Sequence, residues 1–169
     1  MPIHILDERN LRQLPVKKRL DKCTSIIKTS KDESLRWDAV YIAGEIAENT
    51  SNDSPIFGEI ADLMTWVMRN DDNGVVKHEA CFQIAARNMR NKIPDLIHTA
   101  FYDKSIIARH EAIESLGLMR AFDSQEMISK AMKDPIYDVQ ETAAFVLKRF
   151  KRLKKLAATA REYKQSDIL

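Results

Sequence analysis

One pattern recurs four times along this chain, as Leu35-Arg36-Trp37-Asp38-Ala39, Val76-Lys77-His78-Glu79-Ala80, Ala108-Arg109-His110-Glu111-Ala112 and Val139-Gln140-Glu141-Thr142-Ala143. Each stretch follows an acidic or polar turn, opens with a small or apolar residue and has alanine at its fifth position. The third positions lie 41, 32 and 31 residues apart. A period in the low thirties, with two helices in each repeat, is typical of an α-solenoid of HEAT-like helical hairpins.

The rest of the chain agrees with this fold, because apolar residues recur at helical spacing between short polar breaks. They predict helices over residues 14–29, 32–49, 55–70, 74–90, 93–102, 105–121, 124–133 and 136–160. Four glycines and five prolines among 169 residues are too few for the tight turns of an all-β fold. We therefore expect one all-α domain over residues 1–169, a short α-solenoid of about four repeats. An N-terminal cap of about 1–31 precedes repeats over about 32–160 and a short C-terminal tail.

The charge balance argues against a nucleic acid or membrane partner. The chain has 27 basic and 25 acidic side chains, a net charge of +2, so it has no strong overall field. Residues 148–155 hold six basic side chains in eight positions. This stretch could dock an acidic partner or a nucleic acid backbone, but a solvated helix face is the simpler interpretation for a nearly neutral chain.

Cysteine usage and the first residues predict a cytoplasmic protein. Cys23 and Cys81 lie far apart and outside any C-x-x-C pattern, so we expect reduced thiols and neither a disulfide nor a zinc site. The first four residues lack the basic and apolar regions of a signal peptide. No apolar stretch approaches the ~20 residues that span a bilayer.

Two of the four stretches contain a His-Glu pair at the same register, His78-Glu79 and His110-Glu111. Equivalent positions of neighbouring repeats face one surface, so two imidazoles can converge on one ion. Two histidines and one carboxylate suit ferrous iron, and zinc or manganese would also fit. Polar pairs at the starts of such helices usually face solvent. The recurrence of this pair nevertheless favours a metal site, because the only other histidines, His4 and His98, fit neither register.

Three stretches resemble one half of deoxyhypusine hydroxylase, a HEAT-repeat di-iron monooxygenase. They are Val76-Lys77-His78-Glu79-Ala80, Ala108-Arg109-His110-Glu111-Ala112-Ile113-Glu114-Ser115-Leu116-Gly117 and Asp134-Pro135-Ile136-Tyr137-Asp138-Val139-Gln140-Glu141-Thr142. The resemblance is good over about 75–153, and the helical background is similar to that of the PBS lyase HEAT-like repeat family. The family's enzyme has two halves, each with two His-Glu motifs. Its iron site activates dioxygen to hydroxylate the deoxyhypusine side chain of a translation initiation factor.

The resemblance implies a role for each residue of the two pairs. His78, His110 and Glu111 would be ligands of iron (Fe²⁺), and Glu79 would be a catalytic and substrate-binding residue near the substrate amine. One chain supplies only two of the four motifs that the family needs. The resemblance therefore implies a homodimer that shares a di-iron centre, a monooxygenase acting on a cationic side chain, with a translation initiation factor carrying deoxyhypusine as its protein substrate.

Two other functions fit the same residues. The chain could be a metal-binding protein of this fold that performs other oxidative chemistry or stores or senses iron. It could also be a metal-free HEAT-repeat scaffold that holds a partner protein. The metal content of the purified protein separates the scaffold from the other two.

Overall fold

The computed structural model describes residues 6–166, which form paired helices joined by short turns. The helices are α1 (Glu8–Gln13), α2 (Val16–Thr29), α3 (Glu33–Glu48), α4 (Pro55–Asn70), α5 (Gly74–Ala86), α6 (Ile93–Tyr102), α7 (Ile106–Leu118), α8 (Gln125–Ala131) and α9 (Tyr137–Ser166). Short 3₁₀ turns, Arg90–Lys92 and Phe122–Ser124, precede α6 and α8. Residues 6–166 contain no strand, so the prediction of an all-α fold is confirmed.

The helices form two layers. An inner row consists of α3, α5, α7 and α9, which pack side by side. An outer row consists of α2, α4, α6 and α8, and each outer helix packs on the inner helix that follows it in the chain. Four helical hairpins stacked in this way are the α-solenoid that the repeated stretches predict. The fold therefore places the four stretches on neighbouring inner helices.

The alanine at the fifth position of each stretch lies in the core between the layers. All four of these side chains are fully buried: Ala39, Ala80, Ala112 and Ala143. A methyl group at these positions lets the neighbouring helices approach closely. The two cysteines are also buried and free, and burial raises the pKa of Cys23 to about 12. The thiolate form of Cys23 is therefore not populated at neutral pH.

Side-chain caps set the start of the first three inner helices. Asp32, Asn73 and Ser105 each accept a hydrogen bond from a backbone N–H in the first turn of the helix that follows. Such caps satisfy N–H groups that have no partner within the helix. Each cap lies five residues before the third position of its stretch. The third positions therefore leave their helices at the same height and in the same direction.

Ion pairs join each of the first three inner helices to the loop that precedes the next one. The pairs are Arg36–Asp71, Lys77–Asp103 and Arg109–Asp134. Arg36 and Asp71 are both buried, and the guanidinium Nε and Nη2 atoms lie 2.8 and 3.0 Å from the two carboxylate oxygens. Asp71 also accepts a hydrogen bond from the backbone N–H of the cap residue Asn73 at 2.9 Å. This repeated contact holds successive repeats in register.

Two predicted helices end earlier than the sequence pattern indicates. The predictions 74–90 and 105–121 become α5 and α7, because Asn88 and Arg120 adopt left-handed backbone with φ of 51° and 52°. The N–H of Met89 then bonds to the carbonyl of Ile84 at 2.9 Å, which closes the helix in the manner of a Schellman cap. Such caps usually use glycine, so neither end carries the expected sequence signal.

The ends of the described chain also differ from the predictions. The short helix α1 was not predicted, and its start is capped by Asp7, which accepts a hydrogen bond from Asn10 N–H. The helix predicted over 136–160 continues to Ser166 as α9. Across residues 6–166, no helix combines the length and the apolar character that crossing a membrane requires.

Candidate metal centre

The two His-Glu pairs lie on adjacent inner helices, α5 and α7. The Nε2 atom of His78 lies 3.0 Å from Oε2 of Glu111. His110, Glu111 and Glu114 each offer a ligand atom, and these three atoms lie within 4.8 Å of one another. His78 joins this group through its contact with Glu111. We call these four residues the His-Glu cluster.

The separations within the His-Glu cluster fit a divalent metal ion. Two ligand atoms at right angles about an ion, each ~2.1 Å from it, lie about 3 Å apart. The His78–Glu111 contact has this length, and Nε2 of His110 lies 3.3 Å from Oε2 of Glu114. Imidazole nitrogens combined with carboxylate oxygens form a donor set for Fe²⁺, Zn²⁺ or Mn²⁺. The donor chemistry is therefore suitable, and two contacts within the cluster have the length expected for neighbouring ligands.

Glu111 is the most buried member of the His-Glu cluster, with 4% of its surface exposed. Its Oε1 lies 3.3 Å from the hydroxyl of Ser115, which also bonds to the backbone carbonyl of Cys81 at 3.0 Å. A buried carboxylate needs a positive partner, because burial removes its hydration. The hydrogen bond to Glu111 accordingly raises the pKa of His78. A metal ion bound between these two side chains would replace their hydrogen bond.

A cavity of about 360 Å³ opens beside the two imidazoles. Its lining residues are His78, Ile106, Ile107, His110, Asp138, Glu141 and Thr142. The imidazoles of His78 and His110 are partly exposed, whereas Glu111 is buried. The arrangement leaves both imidazoles accessible to a small molecule while the carboxylate between the helices is shielded from water.

Glu79 lies apart from the His-Glu cluster. It is buried, and its Oε1 accepts a hydrogen bond of 2.7 Å from Nε2 of Gln83. The Gln83 amide occupies the space next to Gly44 of α3, so this pair lies on the flank of α5 that faces α3. Burial raises the pKa of Glu79. The structure thus brings His78, His110 and Glu111 together and leaves the fourth predicted site residue on the other side of its helix.

The sequence analysis missed three residues that contact the predicted ligands. Glu114 and Ser115 lie four residues after His110 and Glu111, a spacing that places side chains on one helix face and could have revealed both. Thr142 occupies the fourth position of the fourth stretch, and its Oγ1 lies 2.6 Å from Nδ1 of His110.

The remaining two histidines lie elsewhere. His98 is on α6 in the outer row, where its ring packs against Tyr102 with 5.0 Å between centroids. His4 falls outside the described residues.

Comparisons with known proteins identify similar chains. No family model matches the sequence. Deoxyhypusine hydroxylase from Bos taurus is 28% identical over 93 residues, covering 53% of this chain and 31% of the relative. Deoxyhypusine hydroxylase from Saccharomyces cerevisiae is 32% identical over 116 residues, covering 68% of this chain and 36% of the relative.

A solved structure of human deoxyhypusine hydroxylase in complex with glycerol matches with a TM-score of 0.70 and 19% identity, covering 84% of this chain and 46% of that chain. This chain spans about a third of the length of the curated relatives and just under half of the solved chain. The structural match confirms the HEAT-like solenoid. The resemblance to one half of deoxyhypusine hydroxylase, predicted from the His-Glu pairs, is also confirmed.

Proposed function

We propose that this chain is a non-haem iron protein and acts, as a homodimer, as an oxygenase resembling deoxyhypusine hydroxylase. The observation that carries the proposal is the His-Glu cluster, in which the buried carboxylate of Glu111 lies 3.0 Å from the imidazole of His78 and ligand atoms of Glu111, His110 and Glu114 lie within 4.8 Å of one another. His78, His110 and Glu111 would hold Fe²⁺, and Glu114 offers a further carboxylate at the same place. Bound iron would supply the activation of dioxygen that the hydroxylation of a carbon atom requires.

The protein residues around the His-Glu cluster prepare it for this role. Glu111 is held between helices by burial and by its contact with His78, so its position is largely set before an ion binds. The burial of Glu111 excludes water from one side of the site. Ile106 and Ile107 give the cavity an apolar wall, which suits the hydrocarbon part of a long side chain.

The proposed substrate is a cationic side chain, the deoxyhypusine of a translation initiation factor. Asp138 and Glu141 line the cavity, and their carboxylates favour a positively charged amine. The role expected of Glu79, meeting that amine, stays a prediction. Glu79 is bonded to Gln83 on the α3 flank of α5, so an amine would have to replace this hydrogen bond to reach it.

The proposed homodimer would complete the di-iron centre. Tyr41, Phe82 and Phe145 each lie four residues after the third position of their stretches, in register with Glu114. All three aromatic side chains are exposed, although they are large and apolar. Such a row beside a metal centre favours a covering partner. A second copy placed there by two-fold symmetry would bring a second His-Glu cluster opposite the first.

The function is tested by loading the protein with Fe²⁺ under anaerobic conditions and measuring iron per chain. We expect about one bound iron for each His-Glu cluster, and hydroxylation of a deoxyhypusine-containing protein when dioxygen and a reductant are added. Wild-type protein that holds no more iron than His110→Ala would contradict the proposal and favour the metal-free scaffold.

The dimer is tested separately by light scattering. Phe82→Asp places a charge in the exposed aromatic row, and we expect it to convert a dimer into a monomer. Tyr102→Asp is the matched control, because Tyr102 is a more exposed aromatic residue on the outer helix α6. A wild-type monomer with full iron occupancy would refute the shared di-iron centre and leave a mononuclear site.

A further inference from the structure

The hydroxyl group of Thr142 contacts His110 in a defined direction. Thr142 lies on α9, and only 8% of its surface is exposed. Its Oγ1 donates a hydrogen bond to the backbone carbonyl of Asp138 at 2.8 Å and lies 2.6 Å from Nδ1 of His110. A hydroxyl has a single proton, and here the carbonyl takes it. The contact with His110 can therefore form only if Nδ1 carries a proton and donates it to Thr142.

We infer that Thr142 is a positioning residue, which keeps a proton on Nδ1 of His110 and so leaves Nε2 as the nitrogen that binds metal. Nε2 faces the rest of the His-Glu cluster, since it lies 3.3 Å from Glu114. An imidazole that binds an ion through one nitrogen donates its other N–H to a fixed acceptor, which sets the tautomer and the ring orientation. The role in metal binding rests on the proposed function, but the position of the proton is a property of the metal-free protein.

Without Thr142 the opposite arrangement would be favoured. A neutral imidazole in water prefers to carry its proton on Nε2, and the carboxylate of Glu114 beside that atom would accept a hydrogen bond from it. The nitrogen that faces the His-Glu cluster would then have no free lone pair. Thr142 reverses this preference by accepting from the other nitrogen.

The repeat explains why a threonine stands at this position. Glu111, at the fourth position of its stretch, contacts His78 of the preceding repeat. Thr142, at the fourth position of the next stretch, contacts His110 of the preceding repeat, but at Nδ1 of the ring, whereas Glu111 contacts Nε2 of His78. The same slot thus presents a carboxylate to the first imidazole and a neutral acceptor to the second. The fourth stretch therefore contributes a hydroxyl, that of Thr142, where the third stretch contributes the carboxylate of Glu111.

The proton position is tested by ¹⁵N NMR of the imidazole nitrogens in the metal-free protein, at a pH where histidine is neutral. His110→Gln identifies the signals of His110 among the four histidines. We expect a proton on Nδ1 in the wild type and in Thr142→Ser, which keeps the hydroxyl. In Thr142→Val, which has nearly the same shape, we expect the proton on Nε2. A wild type with the proton on Nε2, or a valine variant that matches the wild type, would overturn the inference.

A second readout is the affinity for Zn²⁺, a redox-inert probe, measured by competition with a chelator. We expect Thr142→Val to bind zinc about 10- to 100-fold more weakly and Thr142→Ser to stay close to the wild type. Thr99→Val is the control, because it removes a buried hydroxyl on the outer helix α6 that bonds to Met68. Equal affinities in the valine variant and the wild type would contradict the positioning role. The NMR pattern decides the inference even if the wild type binds no zinc, a result that would contradict only the proposed function.

Discussion

The two flanks of α5, one facing α7 and the other facing α3, have an equivalent carboxylate position but different side chains beside it. On the flank that faces α7, Glu111 meets the imidazole of His78 at 3.0 Å. On the flank that faces α3, Glu79 occupies the equivalent position, but the preceding repeat presents Trp37 in place of a histidine. Equivalent helix caps and equivalent ion pairs position both carboxylates. The solenoid supplies the same position on both flanks, and under the proposed function the third residue of each stretch decides whether that position can hold a metal.

The side chains around the two carboxylates follow this difference. Glu111 contacts the imidazole of His78, a side chain that can bind a metal ion. Glu79 instead accepts a hydrogen bond from the neutral amide of Gln83. Burial raises the pKa of Glu79. Trp37 stacks on Tyr41 with ring planes 9° apart and centroids separated by 5.8 Å. The α3 flank therefore offers Glu79 no metal-ligating partner, and the α7 flank is the proposed site.

The largest expected effect concerns the scaffold that both flanks share. Arg36→Ala leaves the buried carboxylate of Asp71 without its bidentate partner, and we expect a loss of about 3 kcal/mol in the free energy of unfolding. The measurement is urea denaturation. Lys17→Ala removes an exposed ion pair with Glu59 and should have a much smaller effect, because solvent screens exposed charges. Equal losses of stability in the two variants would show that the ion pairs between successive repeats do not hold the repeats together.

The next effect separates the flanks directly. His110→Ala or His78→Ala should weaken metal binding by more than about 100-fold, since removing a ligand has a larger effect than removing a residue that positions one. Trp37→Ala, at the same position of the first stretch, should leave metal binding unchanged. Chelator competition measures the affinities, and thermal melting checks that all three variants fold. Loss of metal in Trp37→Ala would mean that the site extends over both flanks.

The carboxylates should differ in the same way. Glu111→Gln keeps the shape of the side chain but removes the charge, and we expect metal binding to fall strongly. Glu79→Gln should bind metal as the wild type does, because its carboxylate faces the other flank. If Glu79 does meet the substrate amine, this variant should lose affinity for a cationic substrate while it keeps its metal. Loss of metal in Glu79→Gln alone would show that Glu79, and not Glu111, is the metal ligand.

The smallest effect is the dependence of stability on pH. Because burial raises the pKa of Glu79 above its ordinary value of 4.5, the folded state holds this proton more tightly than the unfolded state. Stability should therefore fall as pH rises from 4.5 through the raised pKa, relative to Glu79→Gln, and the difference should then stay constant. Urea denaturation of both proteins over this pH range measures it. A difference that does not change with pH would show that Glu79 titrates normally.

Much of the fold and part of the site could be predicted from the sequence. The fifth-position alanines and the period of the stretches indicated the stacked helices, because packing and repetition leave a direct trace in the sequence. His78 and His110 face one surface because both lie five residues after a helix cap, and Glu111, one residue further along, contacts His78. These features depend on backbone geometry alone.

The remaining features depend on neighbours that one stretch does not reveal. The two His-Glu pairs are identical as dipeptides, yet Glu79 lies outside the cluster because its neighbouring repeat presents Trp37. The role of Thr142 depends on where its hydroxyl proton goes, which only the contact with the carbonyl of Asp138 defines. The early end of α5 depends on Asn88, a left-handed residue where glycine would be the usual signal.

The central claim is that the α7 flank of α5 holds a metal ion and the α3 flank does not. Anomalous X-ray scattering at the iron edge, from crystals of the wild-type protein loaded with Fe²⁺ without oxygen, tests it most directly. The account predicts a peak ~2.1 Å from Nε2 of His78, Nε2 of His110 and a carboxylate oxygen of Glu111. The absence of a peak there, or a peak bonded to Glu79 instead, would contradict it.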